Sequence, residues 1–118
     1  MSDKDQYQEI WVTNEPDEQT VVALLNGEYG WLMYLREEGD AGFSSRNPDY
    51  AGPEEATMEF FLSNGQCDEY PMAWVLPVER VYAAIEYFKI HHKPPAFIVW
   101  HNDSNDGVSL NEEPSTNR

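Results

Sequence analysis

Most apolar positions of this chain fall into runs of five to eight residues that are rich in aromatic and β-branched side chains. Short runs of this kind, bounded by Gly, Pro, Asn, Asp and Ser, predict β-strands. The Asn64-Gly65 pair predicts a tight hairpin between two of them. Six segments are candidate strands, at 9–13, 29–36, 41–46, 57–62, 66–70 and 96–100, and the first of them is a candidate edge strand. About five strands are expected from them.

One segment carries a helical pattern instead. From Pro77 to Lys89 the apolar residues recur at intervals of three and four and form a single stripe, consisting of Val78, Val81, Tyr82, Ile85 and Phe88. Glu79 in the first turn and Lys89 in the last suit the helix dipole. Pro94 and Pro95 prevent the helix from continuing, so the pattern predicts one long amphipathic helix.

A second, short helix is predicted near the N-terminus, between Asn14 and Asn26. Thr13 or Asn14 can cap it, and Pro16 suits its first turn. Gly27 provides a stop signal after Asn26. The apolar face of this helix consists of Val21, Val22, Leu24 and Leu25.

These elements predict an α+β fold. Its mainly antiparallel sheet of about five strands would carry the long amphipathic helix on one face, with the short N-terminal helix beside it. The 118 residues suffice for one domain. We expect a flexible N-terminus at 1–8, a single domain at 9–101 and a disordered polar tail at 102–118.

Charge adds information about partners. Seven Lys and Arg stand against 22 Asp and Glu, a net charge of −15. The segment from Glu9 to Glu69 holds 14 acidic and two basic residues. Such a surface disfavours direct contact with nucleic acid or an anionic membrane and favours a basic protein partner. Solubility alone is the plainer explanation of the acidity, but solubility does not require the acids to be concentrated in one part of the chain.

The remaining composition indicates the cellular compartment of the protein. Cys67 is the only cysteine, so no internal disulfide or cysteine-based zinc site is expected. The first residues are polar and lack the apolar core of a signal peptide. No apolar run approaches the roughly 20 residues of a membrane span. We therefore expect a cytoplasmic protein.

Catalytic chemistry finds little support in the residue pattern. His91 and His92 are adjacent and point apart, which disfavours a shared metal ion. Cys67 stands beside acidic residues that raise its pKa and weaken it as a nucleophile. The chain has no phosphate-binding glycine loop and no nucleophile elbow. We expect no enzyme activity, metal or cofactor, and a small enzyme built on His101 and a carboxylate is the catalytic alternative.

Four segments, in this order, resemble a known family: GDAGFSSRNP at Gly39–Pro48, EFFLSNG at Glu59–Gly65, the helix from Leu76 to Phe88, and PPAFIVW at Pro94–Trp100. Together they are similar to the first-numbered family of immunity proteins from bacterial polymorphic toxin systems. The resemblance covers about residues 29–101. Lys93, where the family often has Arg, and the Ser63-Asn64 pair at the hairpin depart from the family pattern.

The resemblance implies an inhibitor without catalytic activity. Members of that family protect the producing cell by binding a cognate toxin domain, often a nucleic-acid deaminase. A deaminase must carry a basic groove for its substrate, which an acidic protein can cover. We expect a monomer until the toxin binds.

The partner-binding surface is predicted where acids and aromatics cluster at turns. These residues are Glu37, Glu38, Asp40, Phe43, Asp49, Tyr50, Glu54, Glu55, Asp68, Glu69 and Tyr70. Aromatic anchors ringed by charges are typical of binding hot spots. Two further alternatives are an acidic DNA mimic that blocks a nucleic-acid enzyme and an adaptor protein without a toxin partner.

Overall fold

Eight β-strands and one α-helix make up the regular structure of the residues that the computed structural model describes, 7–14, 18–37, 39–104, 106 and 110. The strands are β1 Tyr7–Asn14, β2 Gln19–Asn26, β3 Tyr29–Leu35, β4 Phe43–Arg46, β5 Thr57–Phe61, β6 Cys67–Pro71, β7 Leu76–Pro77 and β8 Val99–Asn102. Helix α1 spans Val78–His91, and a short 3₁₀ helix spans Met72–Trp74.

The strands form one sheet and one separate hairpin. The six-stranded sheet has the order β1-β2-β3-β4-β8, with β7 paired to β3, and β5 pairs with β6. All of these pairings are antiparallel. The predicted α+β class, with a mainly antiparallel sheet and one long helix, is confirmed. The described residues contain eight strands, however, rather than about five.

The predicted N-terminal helix is wrong, because residues 19–26 form strand β2. This strand pairs with β1 over eight residues and with β3 over seven. Val21, Ala23 and Leu25 face the helix side of the sheet, and Leu24 packs on the other side. A strand buried on both faces is a continuous apolar run, which periodicity alone cannot separate from a buried helix. Residues 15–17 of the predicted helix lie outside the described residues.

The closing strand begins three residues later than predicted, at Val99 rather than residue 96. Ile98 donates its backbone N–H to the Pro95 carbonyl at 3.4 Å, and the Trp100 indole N–H donates to the same carbonyl at 3.0 Å. This turn delays sheet pairing until Val99, which lies opposite Arg46 of β4.

Apolar layers lie on both faces of the sheet. On one face α1 buries Val81, Ala84, Ile85 and Phe88 against side chains of β2, β3, β4 and β8. On the opposite face the β5–β6 hairpin packs Phe60 against Leu24, Trp31 and Val75. The molecule therefore has three layers, in the order helix, sheet and hairpin.

Ser45 connects β3 to the 3₁₀ helix where the β3–β4 ladder ends after two residue pairs. The Leu32 N–H donates to Ser45 Oγ at 3.1 Å, and the Ser45 hydroxyl donates to the Trp74 carbonyl at 2.9 Å. Ser45 is fully buried, so both backbone groups depend on it for a partner. The Arg46 guanidinium lies 3.8 Å from the centre of the Trp74 ring, which adds a cation–π contact.

Replacing this bridge is expected to destabilise the fold. Ser45→Ala should lower the free energy of unfolding by about 1–3 kcal/mol, because it leaves the buried Leu32 N–H and the partly buried Trp74 carbonyl unpaired. Urea denaturation measures the loss. Ser44→Ala is the matched control, since Ser44 is as buried but accepts only from Arg46, which also donates to the Ser45 carbonyl. Equal losses in the two variants would contradict the bridging role.

The predicted flexible termini lie largely outside the described residues. Tyr7 and Gln8 already belong to β1. Beyond 101, Asn102 ends β8 and Leu110 packs against the helix-side core. Within the described residues no helix combines the length and the apolar character that a bilayer crossing needs.

Candidate functional site

A groove opens on the hairpin side of the sheet, where the hairpin leaves the strands uncovered. Its volume is about 380 Å³, and its walls come from β1, β2, β3 and the adjoining turns. We call it the Trp11 groove. It is lined by Trp11, Thr13, Glu18, Thr20, Leu35, Glu37 and Gly39.

Trp11 is the most exposed aromatic side chain among the described residues, at 60%. Its indole N–H donates to Glu9 Oε2 at 2.9 Å. The other Glu9 oxygen accepts from the Ser63 backbone N–H at 2.8 Å and from the Ser63 hydroxyl at 2.7 Å. These hydrogen bonds, with that from the Ser63 backbone the strongest, lower the pKa of Glu9. The indole is thus held in place although most of its surface meets solvent.

Glu18 and Glu37 line the same groove. Neither is in a salt bridge with a cation in the part of the chain that is described. The neighbouring Arg36 is engaged elsewhere, with Asp40 and Asp106 each at 2.8 Å. An exposed indole beside unneutralised carboxylates suits a guanidinium or ammonium group through cation–π and charge-assisted contacts.

Of the acids predicted in the turn after β3, Glu37 lines the groove and Glu38 lies outside the described residues. Asp40 points inward instead. Its Oδ2 accepts from the Arg36 backbone N–H at 2.9 Å and from Nε at 2.8 Å, while Oδ1 accepts from Nη2 at 2.8 Å. These Arg36 contacts hold the pKa of Asp40 well below its usual range. With only 7% of its side chain exposed, Asp40 stabilises the turn and offers a partner little surface.

Two of the three predicted aromatic anchors, Phe43 and Tyr70, are packed into the molecule. Phe43 is fully buried in the core, with the Arg36 guanidinium 4.9 Å from its ring centre. A buried ring cannot contact a partner, so its assignment to the binding surface is corrected. Tyr70 is half-buried and stacks on Trp31 with ring centres 4.2 Å apart. Burial, followed by the charge of Asp68, raises the pKa of Tyr70 to about 12.

The predicted acidic loops lie at different ends of the sheet. Because β3 and β4 are antiparallel, Glu37 follows one end and the loop after β4 follows the other, on the order of 20 Å away. That loop contains Asp49, Tyr50, Glu54 and Glu55. The Asp49 carboxylate lies 3.9 Å from Arg80 Nη2, and the Tyr50 hydroxyl donates to the Pro53 carbonyl at 2.9 Å. Glu54 and Glu55 are exposed, and the structure does not join them to Glu37 in one face.

The hairpin carries a third acidic group. Glu69 is exposed and lies opposite Glu59 in the β5–β6 register, where like charges repel. Asp68 is half-buried and accepts from the Gln66 amide at 2.7 Å and the Tyr70 hydroxyl at 3.2 Å. Partial desolvation, followed by the charges of these carboxylates, raises the pKa of Cys67. The thiol is therefore poorly suited to act as a nucleophile.

The histidines do not assemble a reactive centre in the described residues. His101 Nε2 lies 3.6 Å from Asp103 Oδ1, and both side chains meet solvent. No group of three or more His, Cys, Asp or Glu side chains in this part of the chain is placed to hold a metal ion. The surface position of the His101–Asp103 pair lacks the burial that tunes catalytic groups.

The fold and the groove define a small α+β domain whose candidate site is a shallow, acidic and aromatic surface. No protein-family model matches the chain, and no relative is found among curated proteins. The features of this chain that bear on its function are therefore the groove, the net charge and the sequence pattern.

Sequence reasoning missed the groove residues Trp11, Thr13 and Glu18. The cause is the misassigned helix, because a helix after Asn14 would leave the segment that carries Trp11 without the strand with which it pairs. The β-branched pair Val21-Val22 within an apolar run was the signal that favoured a strand. With β2 in place, β1 becomes the sheet edge and its alternate side chains become a wall of the groove.

The Arg36–Asp40 contact gives a prediction for stability against pH. Asp40→Asn should lower the Tm at neutral pH by roughly 5 °C, because the charged hydrogen bonds are lost. The depressed pKa means that the ionised carboxyl stabilises the fold above an unfolded-state pKa of about 4, and that this contribution fades as the pH falls below it. Melting curves of both proteins from neutral to acidic pH should therefore converge. A constant gap at all pH values would contradict this account.

Proposed function

We propose that this protein is an immunity protein that binds and neutralises a bacterial toxin domain with a basic surface. The toxin acts on nucleic acid, as a deaminase, and the immunity protein covers its substrate-binding surface. The protein has no catalytic role, acts in the cytoplasm and is a monomer until the toxin binds. The observation that carries the proposal is the exposed Trp11 in one groove with Glu18 and Glu37, which form no salt bridge within the described residues, in a chain of net charge −15.

The charge supports a basic partner. A nucleic-acid enzyme must attract phosphates with Lys and Arg. A carboxylate-rich surface competes for the same side chains and speeds association by electrostatic steering. It repels nucleic acid itself, which favours the enzyme over its substrate as the partner.

The Trp11 groove supports a specific contact rather than a general attraction. Tryptophan is enriched in binding hot spots because its large surface gains much from burial. The hydrogen bond to Glu9 restrains the indole before binding, which reduces the entropy lost on association. Glu18 and Glu37 then supply acceptors for a basic side chain laid against the ring.

The sequence pattern supports the class of partner. The segments at Gly39–Pro48, Glu59–Gly65 and Pro94–Trp100 resemble immunity proteins of polymorphic toxin systems. A DNA mimic shares the acidity, but it needs carboxylates in two regular rows. The acids at Glu37 and at Glu54-Glu55 follow opposite ends of the sheet, and this separation favours the toxin inhibitor over the mimic.

Co-expression tests the proposed function. The C-terminal domain of the protein encoded beside this chain, produced alone in bacteria, should stop growth and raise mutation frequency, as a nucleic-acid deaminase does. Co-expression of this chain should restore growth, and the two proteins should purify as a complex. A harmless neighbouring domain, or toxicity that persists although the two proteins co-purify, would count against the proposal.

Charge reversal should show which end of the sheet contributes to association with the toxin domain. Glu18→Lys combined with Glu37→Lys should slow association with the toxin domain at least tenfold at low salt, with a smaller effect at high salt because salt screens the attraction. Stopped-flow or biosensor kinetics measures both rates.

The matched control is Glu54→Lys combined with Glu55→Lys. It makes the same change in net charge at the other end of the sheet, so its association rate should fall far less. Equal slowing in both double variants would mean that overall charge, rather than the Trp11 groove, governs binding.

Trp11→Ala should instead speed dissociation of the complex, because it removes the aromatic ring that the partner covers on binding.

A further inference from the structure

β1 is an edge strand with no neighbour on its outer side in the described part of the chain. The sheet order places it first, next to β2 alone. It is eight residues long and pairs with β2 at every position, without a bulge. An extended edge of this length presents a row of unpaired backbone donors and acceptors.

The register shows which residues carry those groups. The backbone N–H and C=O groups of successive residues in a strand point to opposite sides. Leu32 donates its N–H to Ser45, away from β2, so the backbone groups of the residues on either side of Leu32 point toward β2. By the same alternation in β2, the backbone groups of Leu24 and Val22 point toward β3, and those of Ala23 and Val21 point toward β1. The residues opposite Ala23 and Val21, namely Ile10 and Val12, bond to β2. The backbone groups left facing outward belong to Glu9, Trp11 and Thr13, with Tyr7 at the strand end.

This edge lacks the usual protection against strand pairing. Natural edges carry Lys, Pro or a bulge, or they are short. β1, with the sequence YQEIWVTN, has none of these. Its one charge, on Glu9, is held by Ser63 and Trp11. The opposite edge, β8, is only four residues long.

Hollows flank β1 on both faces of the sheet. The Trp11 groove lies on the hairpin side, with Glu18 and Glu37 in its wall. A second hollow of about 270 Å³ lies on the helix side, lined by Val12, Thr13, Asn14, Phe88, Lys89 and His92. A strand placed beside β1 points alternate side chains to the two faces. One set would meet Glu18, Glu37 and an indole. The other would meet Val12 and Phe88 beside the cation of Lys89, which disfavours basic side chains on that face.

We propose that the outer edge of β1 accepts an extended strand of the partner protein, with alternating basic and apolar residues, by β-sheet augmentation. This inference rests on the proposed role as a binder of a basic protein and adds the mode of binding. Backbone hydrogen bonds to Glu9, Trp11 and Thr13 supply affinity, and the two hollows supply the alternating preference. The charge of −15 disfavours a second copy of this chain as the occupant.

A peptide probe tests the edge without the toxin. The probe is acetyl-Lys-Val-Lys-Val-Lys-Val-amide, and its control is the same peptide N-methylated at every residue, which keeps the charge and removes the backbone donors. NMR measures amide–solvent exchange in the full chain. With the first peptide at ten times its Kd, exchange at Glu9, Trp11 and Thr13 should slow about tenfold. The methylated peptide should leave these rates unchanged.

Three results would overturn the proposal. Equal slowing by both peptides would indicate attraction by charge alone, and no slowing at millimolar peptide would show that the edge does not accept a strand. Slow exchange at Glu9, Trp11 and Thr13 in the free chain would show an edge already occupied, by a second copy if the effect grows with concentration. Because the probe is not the toxin, a chain that neutralises the toxin yet fails this test would keep its function and lose only the binding mode.

Discussion

Burial of β2 and β3 on both faces is the constraint on which the rest of this molecule depends. Val21, Ala23 and Leu25 need a cover on one side, and helix α1 supplies it. Leu24 and Trp31 need a cover on the other, and the β5–β6 hairpin supplies it. The hairpin has only two strands, so it covers part of the sheet. The uncovered remainder, between Trp11 and Leu35, is the groove.

The same arrangement sets where charge can act. The core takes the apolar residues, and the described acids lie outside it, mostly in turns, on the hairpin and on α1. Arg36 forms ion pairs with both Asp40 and Asp106, so these groups hold the turn together and are not available to a partner. Glu18 and Glu37 stay unpaired within the described residues and flank an indole that Glu9 holds in place. Negative potential is thereby combined with one restrained aromatic side chain, beside a sheet edge that no other described strand covers.

Local sequence patterns predicted much of this fold. The hairpin at Asn64-Gly65 and the amphipathic helix α1 follow from turn chemistry and from a 3.6-residue period, which are properties of neighbouring residues. β2 could not be assigned in this way, because a strand covered on both faces loses the alternation that marks strands. The late start of β8 depends on the Trp100 contact to Pro95, which joins parts of a turn that no periodicity encodes.

The candidate site was less predictable than the fold. Acid-rich turns locate exposed carboxylates in general, and they identified Glu37 correctly as an exposed acid. They could not reveal that Asp40 turns inward to Arg36, or that Phe43 fills the core, since both depend on how β3 and β4 meet. Trp11 acquires its position only when β2 is a strand. Binding surfaces that several strands build together are therefore the part of this protein hardest to predict from sequence.

A structure of the chain bound to its toxin domain tests the central claim most directly. The quantity to measure is the exposure of the Trp11 side chain, which is 60% in the free chain. The account predicts that the partner buries this ring, with basic side chains against Glu18 and Glu37 and a strand along β1. A complex in which Trp11 keeps its free exposure, with the partner seated over Glu54 and Glu55 instead, would contradict it.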